Sequence, residues 1–456
     1  SSASARRAGR CDRGAPVTSQ HLLIPRHALV DLADRLAVCP GGARVAAVEL
    51  DLDPLDLVRA GASSYGSAAF YASPEGFTIG GLGTAWMTAT AGPGRLGSID
   101  ERLGELPEGL EALVGFAFAA DGPTGDEWED FPCAVALLPQ VTARRSAGRS
   151  RLTVVLPPGA SRRPLLGWLG ALDKPDPAKE MRRRDHSVES RPSAEEWRQQ
   201  VAEAVGAIQA GGPSKVVLAR SVQVVLDQPI EGFDLVALLR DRFPGSRVYG
   251  WQSGVSTFLG ASPELLVARV GRWFQTRPLA GSVGRGTDAR EDRRLGDSLL
   301  ASVKDRAEHG FVVEDVVTRL GPLAETLDRP PAPVVERFAG VQHLATPIVG
   351  TTSARLLDLA DALHPTAAVA GVPRNQALAH IDKAEAMDRG WYAGGVGWVN
   401  ADGDGEVAVA LRCALVQGER ATLYAGNGIV AGSDPQDEVE ETRLKLRPLV
   451  DLLTAP

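Results

Sequence analysis

Strand-like apolar runs follow one another along this 456-residue chain without the regular intervening helix that a parallel sheet requires. In the first part, Ala43 to Leu52, Gly66 to Ser73, Leu113 to Ala119 and Arg151 to Leu156 read as strands between glycine and proline punctuation. Helical periodicity covers Leu22 to Leu36 and Ile99 to Leu113. Asp173 to Pro192 is polar, bears prolines and the run Arg182-Arg183-Arg184, and reads as a linker or exposed loop. Ser193-Ala194-Glu195-Glu196 then signals a helix start, with its end at Gly211-Gly212. Further strands are expected at Lys215–Leu226, Arg247–Gln252, Thr257–Gly260, Leu265–Val270, Gly394–Trp398, Val407–Arg412 and Ala421–Ala425. A long helix is expected from Glu291 to Leu320 and a final one from Asp437 to Leu453. This order predicts an α+β fold, with large antiparallel sheets packed in layers and helices outside. The chain divides into a fold-completing part, 1–190, and a region of denser polar motifs, 191–456.

Hydrophobic residues make up 44% and charged residues 23%, as in ordinary globular proteins. The net charge of −8 gives no electrostatic reason to expect nucleic acid or an anionic membrane as partner. No apolar run is long enough to span a bilayer. Cys11, Cys39, Cys133 and Cys413 form no CxxC and no metal spacing, which suits a reducing cytosol. Ser1 to Arg13 is small and arginine-rich without an apolar stretch, so a frayed terminus is expected there rather than a signal peptide.

Only six of the 49 basic residues are lysine. A guanidinium stays protonated at working pH, whereas a desolvated ammonium can give up its proton. Lys215, at the head of a strand after Gly211-Gly212-Pro213-Ser214, and Lys445, in the last helix, are therefore candidates for chemistry. Glu438, Glu441 and Lys445 fall at i, i+3 and i+7 and share one helix face. That face could hold a divalent cation beside an anionic substrate; the bland reading, an exposed salt-bridged face, is favoured by the spacing alone.

The segments SKVVLAR, GASPELLV, RPLAGS, EHGFVVEDV, VQHLATPIVG, LHPTAAVAGVPR, RGWYAGGVGW, VALRCA and AGNGIVAGSDPQDEVEETRLK carry a resemblance. Over about Ser193 to Leu453 the chain resembles the chorismate-utilising enzymes, which comprise isochorismate, salicylate, anthranilate and aminodeoxychorismate synthases. The resemblance implies a cleft between antiparallel sheets, chorismate as substrate and a requirement for Mg2+. Ammonia-using members carry glutamine where this chain has Lys215, and water-using members carry lysine. A water nucleophile must lose a proton, so Lys215 resembles a general base. Glu264 resembles the general acid that protonates the departing C4 hydroxyl. The turn that bears a nucleophilic lysine in aminodeoxychorismate synthases has Ala280 here, and residues 367–374 depart from the loop usual in anthranilate synthases.

By the same resemblance, Glu308 and Glu441 would bind the metal, with Glu438 close by through water. Arg412 and Tyr392 would anchor the pyruvyl carboxylate, with Lys445 near the carboxylates. Gly281, Ser282, Gly426 and Gly428 would offer backbone donors, and His343 resembles a site histidine. Asn427 replaces an alanine found in many relatives. His309 and His364 are expected to be packing or capping residues. The subfamily indicated is the isochorismate synthases, acting as a cytoplasmic monomer without an amidotransferase subunit. Salicylate synthase is the nearest rival and shares the same acid and base. Behind it stand a catalytically silent chorismate-binding protein and an ammonia-using synthase. Nothing in the residues selects quinone or siderophore synthesis as the destination.

Overall fold

The computed structural model describes residues 22–38, 42–178, 185–338 and 340–454. The arginine-rich terminus, the 182–184 run, Cys11 and Cys39 lie outside the described residues. Among the described residues the strands form sheets of thirteen, nine and three. Strands from both parts of the chain share the two large ones: Ser67–Ala72 pairs antiparallel with Arg247–Ser253, and Glu111–Phe116 with Gly395–Asn400.

Period-two alternation positions the core. Ala69 and Tyr71 point to an apolar layer shared with Leu113, Val267 and Val396 of the nine-stranded sheet. Ala68, Phe70 and Ala72 point the other way, to a layer with Leu55 and Leu57, Val236 and Leu446 from outer helices. In the inter-sheet layer Trp128, Phe131, Phe258 and Trp391 meet edge-on, with centroids 5.2–6.4 Å apart. The layered α+β expectation holds.

Several local expectations change. The helix expected over Ile99 to Leu113 is Arg95–Arg102 with one 3-10 turn, Leu103–Glu105. Pro107 and Gly109 (φ +74°) follow, so the chain cannot continue as helix and turns into the Glu111–Phe116 strand. The long helix is two, Ala289–Ala301 and Val303–Leu320. They break at Ser302, whose hydroxyl accepts from Asp305 N at 3.2 Å as an N-cap. Leu279–Gly284 is a strand, not a turn, bulged at Gly281 (φ +72°). The end of the expected linker, His186–Arg191, is a strand paired with Lys215–Leu226. The strand expected to reach Arg412 stops at Val409, and Arg412 sits outside it at φ +50°. The capping box of Ser193 and Glu196 is present on the Ala194–Gln209 helix.

Candidate active site

Four strands, paired into two walls, and two helices surround one open cleft, whose empty space including its mouth is about 720 Å³. Lys215–Leu226 and Arg420–Ile429 pair with Val217 opposite Gly428 and form one wall. Leu279–Gly284 and Val341–Ala345 form another, with Ser282 opposite His343. The Val303–Leu320 and Pro435–Thr454 helices supply the carboxylates. Lys215, Glu264, Gly281, Ser282, Glu308, His343, Tyr392, Arg412, Gly426, Gly428, Glu441 and Lys445 all line the cleft, so residues spread over 230 positions converge. Glu438 is not on its lining but lies behind it, buried. His309 and His364 are buried away from the cleft, bonding to Thr346 and to the Phe118 carbonyl.

Lys215 is 1% exposed, and its ammonium forms an ion pair with Glu308 Oε1 at 3.0 Å. Glu264 follows the Ser256–Ser262 strand, and its backbone N–H is held by Ser262 Oγ at 3.2 Å. Burial pushes the Glu264 carboxyl up to about 8, although Lys215 and Lys445 pull it back. It is therefore protonated at neutral pH and can donate. His343 Nδ1 lies 3.3 Å from the Gly281 carbonyl, which can only accept, so Nδ1 carries the proton and Nε2 is a bare acceptor. Ser282 Oγ is 3.0 Å from the same nitrogen. Nε2 is buried without a protein partner, and burial, with Arg412 and Lys445 nearby, holds the ring neutral, its pKa down to about 3.

Arg412 donates to the Lys445 carbonyl at 3.3 Å. Burial lowers it to about 10, with Glu441 and Tyr392 offsetting part of the cost. A left-handed arginine with spare donors in a cleft is a strained residue of the kind that clusters at binding sites. Tyr392 stacks on Tyr424 at 5.4 Å, and a Cβ at Gly426 would approach its hydroxyl to 2.8 Å.

Lys445 has all three ammonium protons engaged: with Glu441 Oε1 at 2.7 Å, the Gly426 carbonyl at 2.9 Å and Asn427 Oδ1 at 2.9 Å. Asn427 in turn donates to Glu438 Oε2 at 2.9 Å and to the Glu438 carbonyl at 2.8 Å. In the sequence Asn427 stands out only as a departure; its bridging place depends on the strand-to-helix packing. Lys304 has no motif of its own and was not among the expected site residues. It stands one turn before Glu308 and reaches Glu438 Oε1 at 3.5 Å. Its signal was its rarity as a lysine at i−4 from a candidate ligand.

Among the described residues no three acidic, histidine or cysteine side chains converge closely enough, as placed, to hold a metal ion. Glu308 is drawn to Lys215 and Glu441 to Lys445. The donor set nonetheless fits a hard cation in its chemistry, because every candidate is a carboxylate. The charge balance also fits: burial and the neighbouring Glu441 push Glu438 up to about 7, while Glu441, despite burial, is held low chiefly by Lys445. Each of the three carboxylates is faced by a lysine, Glu308 by Lys215, Glu438 by Lys304 and Glu441 by Lys445.

The sequence model described as chorismate binding enzyme matches residues 43–454. The chain is 37% identical over 432 residues to the salicylate biosynthesis isochorismate synthase of Pseudomonas aeruginosa, covering 90% of each. It is 33% identical to the isochorismate synthase MenF of Bacillus subtilis, covering 88% of this chain and 91% of that one. The solved menaquinone-specific isochorismate synthase MenF of Escherichia coli superposes with a TM-score of 0.80 at 28% identity, over 94% of this chain and 99% of that one.

Proposed function

This chain belongs to the chorismate-binding enzyme family, and on that premise we propose that it is an isochorismate synthase. It would add water at C2 of chorismate and release the C4 hydroxyl, a reversible transposition. The carrying observation is that a buried carboxyl, Glu264, and a buried lysine, Lys215, line the same cleft, where burial favours the protonated form of the carboxyl. Acid and base in one cleft are what hydroxyl transposition needs.

In this reading Lys215 takes the proton of the attacking water and Glu264 gives its proton to the leaving hydroxyl. Arg412 anchors the pyruvyl carboxylate with its spare guanidinium donors, and Tyr392 packs beside it. His343 offers Nε2 as acceptor to a substrate hydroxyl. Ser282 and the glycines 281, 426 and 428 let the ligand approach the backbone. Lys445 acts as a bracket that orients Glu441. Mg2+ is proposed as cofactor, held by Glu308 and Glu441 with Glu438 beside them, and when bound it would neutralise substrate carboxylate charge. The enzyme is proposed to work as a cytoplasmic monomer without an amidotransferase.

The test is incubation of the purified chain with chorismate and Mg2+, without ammonia, and chromatography of the products. Isochorismate in equilibrium with chorismate supports the proposal. Salicylate with equimolar pyruvate would move the protein to the lyases, a need for ammonia to the amino-transferring synthases, and no turnover would leave a binding protein.

A further inference from the structure

Four carboxylates surround one half-exposed ammonium at the cleft edge. Lys304 lies in the first turn of the Val303–Leu320 helix and is 43% exposed, with Nζ 3.5 Å from the buried Glu438. Glu308, Asp305 and Glu441 are within electrostatic reach of the same group. The three lysines of the site are not equivalent. Lys215 is buried and holds Glu308 at 3.0 Å; Lys445 is mostly buried, with three short acceptors. Lys304 has a long contact and a flexible stem in solvent.

Resting on the proposed carboxylate metal site, we infer that Lys304 is a tethered counter-ion that competes with the divalent cation for the Glu438 corner and so sets metal affinity. Of the three ammonium groups it is itself the most exposed, so it regains water most readily on leaving. Only the lysine end of the pair is exposed; on leaving, that ammonium regains water, while Glu438 keeps its hydrogen bond from Asn427 until the cation takes the place of the lysine. Asn427 keeps Glu438 fixed meanwhile, because its amide is anchored on Lys445 at the other end.

The experiment is titration of the full chain with Mn2+ alone, free Mn2+ being read by its electron paramagnetic resonance signal. It compares the wild type with Lys304→Met and Lys304→Arg. Loss of the competitor should tighten Mn2+ binding by about two- to fivefold in Lys304→Met, the range an exposed ion pair commands, and the arginine variant should stay near wild type. Unchanged or weaker binding in Lys304→Met overturns the counter-ion role while leaving the metal site standing. Wild-type binding insensitive to both Glu438→Gln and Glu441→Gln overturns the carboxylate site itself, and this inference with it. The Lys304 side chain itself is half-exposed, so neither variant disturbs the apolar core.

Discussion

Lys215 Nζ and Glu308 Oε1 meet at 3.0 Å, joining a strand to a helix across the cleft. Gly428, on the neighbouring strand, makes room for them. A Cβ there would strike Glu308 Oε1 and lie 2.6 Å from Lys215 Cε. Gly428→Ala should push the pair apart, because the strand backbone cannot yield easily. Overpacking of this kind costs about 1–3 kcal/mol. Turnover is expected to fall by roughly tenfold or more, in line with ångström-scale misplacement of catalytic groups. Kinetics alongside thermal unfolding decides this: full activity in a folded variant would show that the pair's placement does not matter.

Lys215→Gln preserves a polar side chain but cannot accept a proton. If Lys215 activates water, turnover falls by roughly 10²–10⁴, the usual worth of a general base. Chorismate affinity, measured by calorimetry, should stay within a few-fold because the anchoring groups are elsewhere. Near-normal turnover would remove the lysine from the mechanism.

Legibility in the sequence followed locality. Lys215–Leu226 and Leu265–Val270 emerged with their observed bounds, because β-branched runs begin after Gly-Pro or Pro-Glu breaks. The break at Ser302 did not, since Ser-Val-Lys-Asp carries no glycine or proline and the periodicity runs through it. Short strands such as Thr78–Leu82, with two glycines in five residues, have too little pattern to be seen. At the site, residue types and order were readable, but partners on other elements were not. The Glu441 partner of Lys445 is legible as i−4 on one helix face, but the bonds to Gly426 and Asn427 depend on that helix lying against a strand 18–19 residues away in sequence. Lys304 escaped because only tertiary packing brings Glu438 to it.

Glu441→Gln removes a charge from the cation corner and the partner of Lys445. The amide still accepts, so the helix face should remain folded. The Mg2+ concentration for half-maximal activity is expected to rise by roughly tenfold or more, with a smaller change in turnover at saturating metal. An unchanged requirement would contradict the ligand role.

Glu264 yields two linked pH predictions. Its carboxyl is held up to about 8 by burial, against an ordinary value of 4.5. As the general acid it must be protonated, so kcat/KM should decline as pH rises through about 8. Stability runs with the same proton. Between about pH 4.5 and 8 the unfolded chain has lost this proton while the folded one keeps it, so the unfolded state binds fewer protons. The Glu264 contribution therefore makes stability fall with rising pH across that window, and the loss is complete above it. Glu264→Gln, neutral at every pH, should be nearly inactive yet more stable than wild type at about pH 8. The gain is on the order of a few kcal/mol, at about 1.4 kcal/mol per pKa unit. Denaturant unfolding at about pH 5 and about pH 8 measures it: a difference that does not grow with pH would show that Glu264 ionises normally and cannot be the acid.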